Sequence, residues 1–181
     1  MNLKSFVITL TQTFGWHPSR CETFTSFVTS LIDQGNAQHH ALSHGLSTTK
    51  TSTKAKLERV RRFFAKQLFD YESFAKNLIL HVFKTIPQMD LIMDRTNWKF
   101  GKSDINYLVL TARIGKITFP LFWSLLEHQG CSDAKPRIEL MQMFQRVFGL
   151  ETIQSFTADR EFVGQEWLDY LCQHNIPFLS V

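Results

Sequence analysis

The chain has 181 residues, 44% of them hydrophobic, and its 20 Lys and Arg against 16 Asp and Glu give a formal net charge of +4. This length and apolar content suit one good-sized domain or two small ones with a packed core, and they exclude a disordered chain. No uncharged apolar run approaches the roughly 18 residues of a membrane span, and no cleavage pattern follows the N-terminal apolar run, so we expect a cytoplasmic protein without a membrane partner.

The positive charge is concentrated in the first part of the chain. Residues 1–80 contain ten Lys and Arg against five Asp and Glu, whereas residues 81–181 contain ten against eleven. A basic front part followed by a nearly neutral part suggests a region that binds a polyanion, joined to a second unit of another kind.

Helical spacing dominates the beginning of the chain. Apolar residues recur three and four positions apart over residues 21–33, with Pro18 and Ser19 at the expected start of the helix. A segment rich in Ser, Thr and Lys at 45–53 predicts an exposed linker. Further helices are predicted over 53–69 and 71–83. Together these elements define a helical region at residues 1–86.

The predicted helix over 53–69 carries six cations and a single acid, Glu58. Cations on a helix can neutralise phosphates and release counterions, although a basic helix face is just as often only solvated. Phosphate contacts of this kind position a protein on DNA without reading its sequence. The candidate DNA-binding residues on this helix are Lys54, Lys56, Arg59, Arg61, Arg62 and Lys66.

The periodicity changes after Pro87, where runs of β-branched and aromatic residues alternate with glycine turn signals. Three strands in a meander are predicted first, followed by a helix, a fourth strand, a second helix and a fifth strand. The strands are expected at 91–93, 107–110, 117–126, 153–156 and 176–181, and the helices at 137–148 and 165–174. This order predicts an α/β domain at 87–181, with a mixed sheet and flanking helices.

Two aspartates follow apolar runs of the predicted sheet. Asp94 comes after the run at 91–93, and Asp159 comes after the run at 153–156. Strand ends present side chains to a cleft, so two carboxylates on neighbouring strands could share Mg²⁺ or Mn²⁺ and support phosphoryl transfer. A single aspartate after a strand, however, is more often a turn or cap residue.

Two longer motifs surround these aspartates: M-D-R-T-N-W-K-F-G at 93–101 and A-D-R-E-F-V-G at 158–164. In this order and spacing they resemble motifs of the bacterial insertion-sequence DDE transposases, and the resemblance extends over most of residues 15–181. It implies a ribonuclease H-like catalytic domain in which Asp94 and Asp159 are catalytic and bind the metal.

The resemblance also implies a reaction and its partners. The reaction is metal-dependent cleavage of transposon ends followed by strand transfer, which amounts to DNA transposition and recombination. The cofactor would be Mg²⁺ or Mn²⁺, the partners double-stranded transposon ends and target DNA, and the full-length form could be a homodimer. Near the two aspartates, Arg95, Lys99 and Arg160 are candidate contacts to phosphates of the scissile strand.

The family's chemistry requires a third carboxylate, a glutamate on a helix beyond the fifth strand. Neither Glu161, inside the second motif, nor Glu166, on the next predicted helix, takes its place. We therefore expect an incomplete ribonuclease H-like domain, truncated at its C-terminus and inactive alone. Two alternatives stay open beside a transposase: a non-catalytic DNA-binding protein that occupies transposon ends or inhibits a full-length enzyme, and a metal-dependent nuclease.

Overall fold

The computed structural model describes residues 3–46, 51–66, 70–101, 103–126 and 133–180. The chain divides into two units, Met1–Asp70 and Tyr71–Val181. Residues 47–50 of the predicted linker, residues 67–69 at the end of the predicted helix over 53–69 and the last residue of the predicted fifth strand lie outside the described ranges. None of the described helices is long and apolar enough to span a membrane.

Four helices lie in the described part of the first unit. Pro18 begins the second of them, as predicted, and the His17 side chain accepts a hydrogen bond from the Ser19 N–H. That helix ends at Gly35, whose left-handed backbone (φ +59°) lets its N–H bond to the Leu31 carbonyl. The four helices are α1 (Leu3–Phe14), α2 (Pro18–Gln34), α3 (His39–His44) and α4 (Thr53–Lys66). Sequence analysis did not predict α1 and α3.

A small apolar cluster holds α2, α3 and α4 together. Phe27 and Val60 are buried in it, and the ring of Phe63 meets that of Phe27 edge to face at 4.9 Å between centroids. Arg59 adds a polar link from α4 to α2, because its Nη2 donates to the Thr23 hydroxyl at 2.6 Å. The α4 helix therefore contributes an apolar face to the first unit and leaves its other face to solvent.

Helix α5 (Tyr71–Phe83) groups with the second unit, whereas the sequence analysis places it in the helical region at residues 1–86. Its residues Ala75 and Ile79 are buried in the same core as the sheet. Glu72 also forms an ion pair with Arg146 of the next long helix, at 2.6 Å. Helix α5 therefore buries its apolar face against this unit, a tertiary contact that helical periodicity does not reveal.

The second unit is built on a five-stranded mixed sheet with the order β3-β2-β1-β4-β5. Strands β1, β2 and β3 are antiparallel neighbours, whereas β4 runs parallel to β1 and β5 parallel to β4. The predicted class and order of elements, an all-helical region followed by a mixed α/β sheet with flanking helices, are confirmed. The elements are β1 (Met89–Phe100), β2 (Ser103–Ile114), β3 (Ile117–Leu126), α6 (Ala134–Phe148), a 3₁₀ turn (Leu150–Thr152), β4 (Ile153–Ala158), α7 (Gln165–Gln173) and β5 (Phe178–Ser180).

The core of this unit lies on one face of the sheet. Alternate residues of the central strands are buried there, and the apolar side of α6 is buried in the same core. The buried positions include Met89, Leu91, Met93, Leu108, Leu110, Leu140, Met141 and Phe144. The intervening residues of the strands point to the opposite face, where the candidate site lies.

Candidate active site

The two candidate carboxylates lie on neighbouring parallel strands. Met93 and Ala158 are the last paired residues of β1 and β4, and Asp94 and Asp159 are the residues that follow them. Neighbouring strands are about 4.8 Å apart, so the two aspartates leave the sheet from adjacent backbone positions. The structure therefore brings Asp94 and Asp159 together at the point where β4 ends.

Asp159 ends its strand as predicted, but Asp94 does not. Strand β1 continues to Phe100 as a two-stranded ribbon with β2, and Gly101 takes a positive φ of +63° in the turn. The prediction that the strand ends at Asp94 is wrong because the apolar run marks only the part of β1 that packs in the core. Beyond Asp94 the ladder to β2 is complete, although the side chains from Arg95 to Lys99 are polar or exposed.

Both aspartates are exposed, and each accepts the same kind of local hydrogen bond. Met93 is buried, so strand alternation directs the Asp94 side chain to the opposite face of β1. The Arg95 N–H donates to Asp94 Oδ1 at 2.7 Å, and the Arg160 N–H donates to Asp159 Oδ1 at 2.6 Å. One oxygen of each carboxylate is thus fixed by the backbone N–H of the next residue.

Asp94 and Asp159 have no counter-charge within the described part of the chain, because no Lys or Arg there lies within ion-pair distance of either carboxylate. Two adjacent unpaired carboxylates repel each other, and a divalent cation would remove that repulsion. Carboxylate oxygens suit Mg²⁺, which commonly takes one or two of them and keeps several waters. The donor set therefore fits Mg²⁺ or Mn²⁺, although no third acidic, His or Cys ligand joins the pair within the described ranges.

A third aspartate, Asp90 of β1, lies on the same face of the strand as Asp94 and has side-chain partners. Asp90 accepts hydrogen bonds from the Ser155 hydroxyl at 2.6 Å and from Arg113 Nη2 at 3.0 Å. The Ser155 hydrogen bond first, and then the Arg113 guanidinium, hold the pKa of Asp90 below its usual value. Asp90 is thus already satisfied by the protein, whereas Asp94 and Asp159 are not.

Replacing Asp90 with Asn should weaken the second unit at neutral pH and have little effect in acid. Because the folded-state pKa is depressed, the ionised carboxylate stabilises the fold above its unfolded pKa, and this contribution disappears as pH falls through the folded pKa. We expect a loss of about 1 kcal/mol near neutral pH that shrinks below about pH 4. Urea unfolding of both proteins across this range measures it, and a pH-independent difference would contradict the assignment.

The candidate phosphate contacts beside the aspartates differ from one another. Lys99 and Arg160 are exposed, as a DNA contact requires. Arg95 instead pairs with Glu161 at 2.9 Å, and its side chain is only 17% exposed. Trp98, which also belongs to the first motif, has a side chain that is 64% exposed on the β1–β2 ribbon.

The candidate contacts on α4 also divide into two groups. Lys54, Lys56 and Arg62 have no side-chain partner among the described residues. Arg59 is engaged with Thr23 of α2, and Arg61 forms a long, exposed pair with Glu58 at 3.9 Å. Exposed pairs of this kind are weak and leave the cation open to other anions. The side chain of Lys66 lies outside the described part.

Sequence analysis missed the ion pair between Arg95 and Glu161. The sequence pattern that could have revealed this ion pair is the alternation of β1, in which Leu91, Met93 and Arg95 share one side of the strand. A cation at the end of a buried row needs an acidic partner, and the second motif contains one in Glu161.

No family model and no curated protein matches this sequence. Two solved structures are similar in fold. The HTLV-2 integrase catalytic core domain, in complex with magnesium in a dimeric form, is 14% identical, with a TM-score of 0.41, and the match covers 52% of this chain and 61% of that one. The simian T-cell lymphotropic virus intasome in complex with the PP2A regulatory subunit B56 gamma is 10% identical, with a TM-score of 0.42, and the match covers 79% and 46%. The chain thus spans less than two thirds of the length of either matched chain. The sequence identities and TM-scores are too low to assign a function to it.

Proposed function

We propose that this chain is a DNA-binding protein of the DDE transposase type, in which Asp94 and Asp159 bind Mg²⁺ or Mn²⁺ for DNA cleavage and strand transfer. The observation that carries the proposal is the register of β1 and β4, which ends in two adjacent carboxylates that have no ion-pair partner among the described residues. The motifs at 93–101 and 158–164 support the finer assignment to a transposase of a bacterial insertion sequence. Double-stranded transposon ends and target DNA would be its partners.

In this proposal each group of residues has a separate task. Asp94 and Asp159 hold the cations, and the backbone N–H groups of Arg95 and Arg160 keep the two carboxylates oriented. The bound metal supplies activation of the attacking water and stabilisation of the leaving oxygen. Lys99 and Arg160 contact phosphates near the site, and the exposed cations of α4 bind the DNA backbone without reading bases.

A second candidate is a DNA-binding protein without catalytic activity, which would occupy transposon ends or inhibit a full-length enzyme. It is favoured by the lack of a third metal ligand beside the pair in the described ranges. Both candidates bind DNA. Only the first couples metal binding at Asp94 and Asp159 to breakage of a phosphodiester bond.

The proposal is tested by titrating the purified protein with Mn²⁺ and following free Mn²⁺ by electron paramagnetic resonance. Asp94→Asn and Asp159→Asn should each weaken binding by more than about tenfold, because even residues that only support a metal ligand typically contribute that much. Asp169→Asn is the matched control, since Asp169 is an exposed carboxylate of the same unit away from the pair.

Incubation of each protein with duplex DNA and Mn²⁺ then separates the two candidates. Nicking that is lost in both Asn variants supports the catalytic one and would overturn the expectation that this chain is inactive alone, whereas DNA binding without nicking supports the non-catalytic one. A wild-type protein that does not bind Mn²⁺, or Asn variants that bind it normally, would rule out the metal site.

A further inference from the structure

The loop that carries Asp159 is attached to the rest of the unit at several points. It covers residues 159–164, between β4 and α7. At its start, the Phe162 N–H donates to the Asp159 carbonyl at 2.9 Å, which closes a tight turn. Phe162 itself is only 4% exposed and belongs to the core. The backbone of Asp159 is therefore held by a turn whose far end is anchored in the core.

A buried arginine of α6 supports the second half of this loop. Arg137 is only 2% exposed, its Nη1 donates to the Val163 carbonyl at 3.1 Å, and its guanidinium lies 4.9 Å from the centre of the Phe162 ring. Burying a cation is unfavourable unless its hydrogen bonds and neighbours compensate for lost water. Arg137 therefore links α6 to the loop at Phe162 and Val163.

The ion pair between Arg95 and Glu161 ties the loop directly to β1. Their side-chain atoms are 2.9 Å apart, and the side chains are only 17% and 29% exposed. Arg95 is the residue after Asp94, and Glu161 lies two residues after Asp159. The pair therefore joins the same two segments that carry the candidate metal ligands, on the side of the strand opposite to Asp94.

We propose that Arg95 and Glu161 are positioning residues, whose ion pair sets the separation of Asp94 and Asp159 for a shared divalent cation. This inference rests on the proposed function. It gives Arg95 a role other than contact with DNA, and it gives Glu161 a role other than that of a third ligand. Arg137 holds the loop at Val163. The ion pair between Arg95 and Glu161 then controls the position of the part of the loop that carries Asp159.

Charge-reversal variants test the pair by Mn²⁺ titration. If the ion pair positions the aspartates, Arg95→Glu and Glu161→Arg should each weaken Mn²⁺ binding by about tenfold. The double variant restores the ion pair with its charges exchanged, so its Mn²⁺ binding should return to near the wild-type value. Simple attraction between charges predicts a different pattern, because Arg95→Glu adds negative charge near the site and would strengthen binding. Circular dichroism verifies that each variant is folded. Where a reversal prevents folding, Arg95→Gln and Glu161→Gln remove one charge instead.

The outcomes are distinct from those that test the proposed function. Stronger binding in Arg95→Glu or Arg95→Gln would overturn the inference in favour of simple charge attraction. A double reversal that stays as weak as Glu161→Arg would make Glu161 a metal ligand, and it would also overturn the inference. Single variants that bind like wild type would overturn the inference while leaving the metal site intact. A wild-type protein that does not bind Mn²⁺ would overturn both proposals.

Discussion

Trp167→Ala is expected to lower the free energy of unfolding of the second unit by about 3–5 kcal/mol. Trp167 is fully buried on α7, with its ring 5.7 Å from that of Phe156 on β4 and stacked at 6.0 Å on that of Tyr170. The substitution removes apolar contact between α7 and the sheet and leaves a cavity that the strand cannot close. Urea unfolding followed by far-ultraviolet circular dichroism measures the loss.

Trp98→Ala is the matched control, because Trp98 is 64% exposed on the β1–β2 ribbon. Its removal should change the free energy of unfolding by less than about 1 kcal/mol, as is usual for exposed positions. If the two substitutions had equal effects, the packing of α7 against β4 would not be the interaction that stabilises this unit.

Neutralising three cations of α4 should reduce the salt dependence of DNA binding. Lys54, Lys56 and Arg62 have no side-chain partner among the described residues, so they are free to contact phosphate. Each phosphate contact contributes about 0.9 to the slope of log affinity against log salt concentration. The triple Gln variant should therefore lose about 2 to 3 from that slope, together with a large loss of affinity near 0.1 M salt, as measured by fluorescence anisotropy with duplex DNA.

The control for this experiment removes the same charge from the second unit. Lys76, Lys116 and Lys135 are exposed, and changing them to Gln alters the net charge by the same amount. If this variant reduced the slope as much as the α4 variant, binding would depend on net charge rather than on a surface of α4. We expect its slope to stay within about one of the wild-type value.

Local patterns predicted most of the elements because the responsible residues are close in sequence. The helix α2 follows from its apolar spacing and from Pro18 at its start, and α6 ends as predicted, since Gly149 follows its last residue. The sheet followed from β-branched and aromatic runs between glycine turns. The length of β1 could not be predicted from such runs, because its outer half is paired to β2 without packing in the core.

The candidate site was predictable only in part. Asp94 and Asp159 could be selected from their motifs, but their adjacency depends on the register of β1 and β4, which is a contact between distant segments. For the same reason Arg95 was expected to contact DNA. Its pair with Glu161 spans 66 residues of sequence, and a pattern within one motif does not reveal such a contact.

The position of α5 determines where this protein can be divided. A fragment beginning at residue 87 would lack Ala75 and Ile79 and would expose to water the apolar surface that they cover in the sheet's core. It would also leave Arg146 without Glu72. Exposed apolar surface of this kind promotes self-association. Experiments that separate the proposed metal-binding and DNA-binding activities should therefore begin the second piece at Tyr71, so that insolubility is not mistaken for lost function.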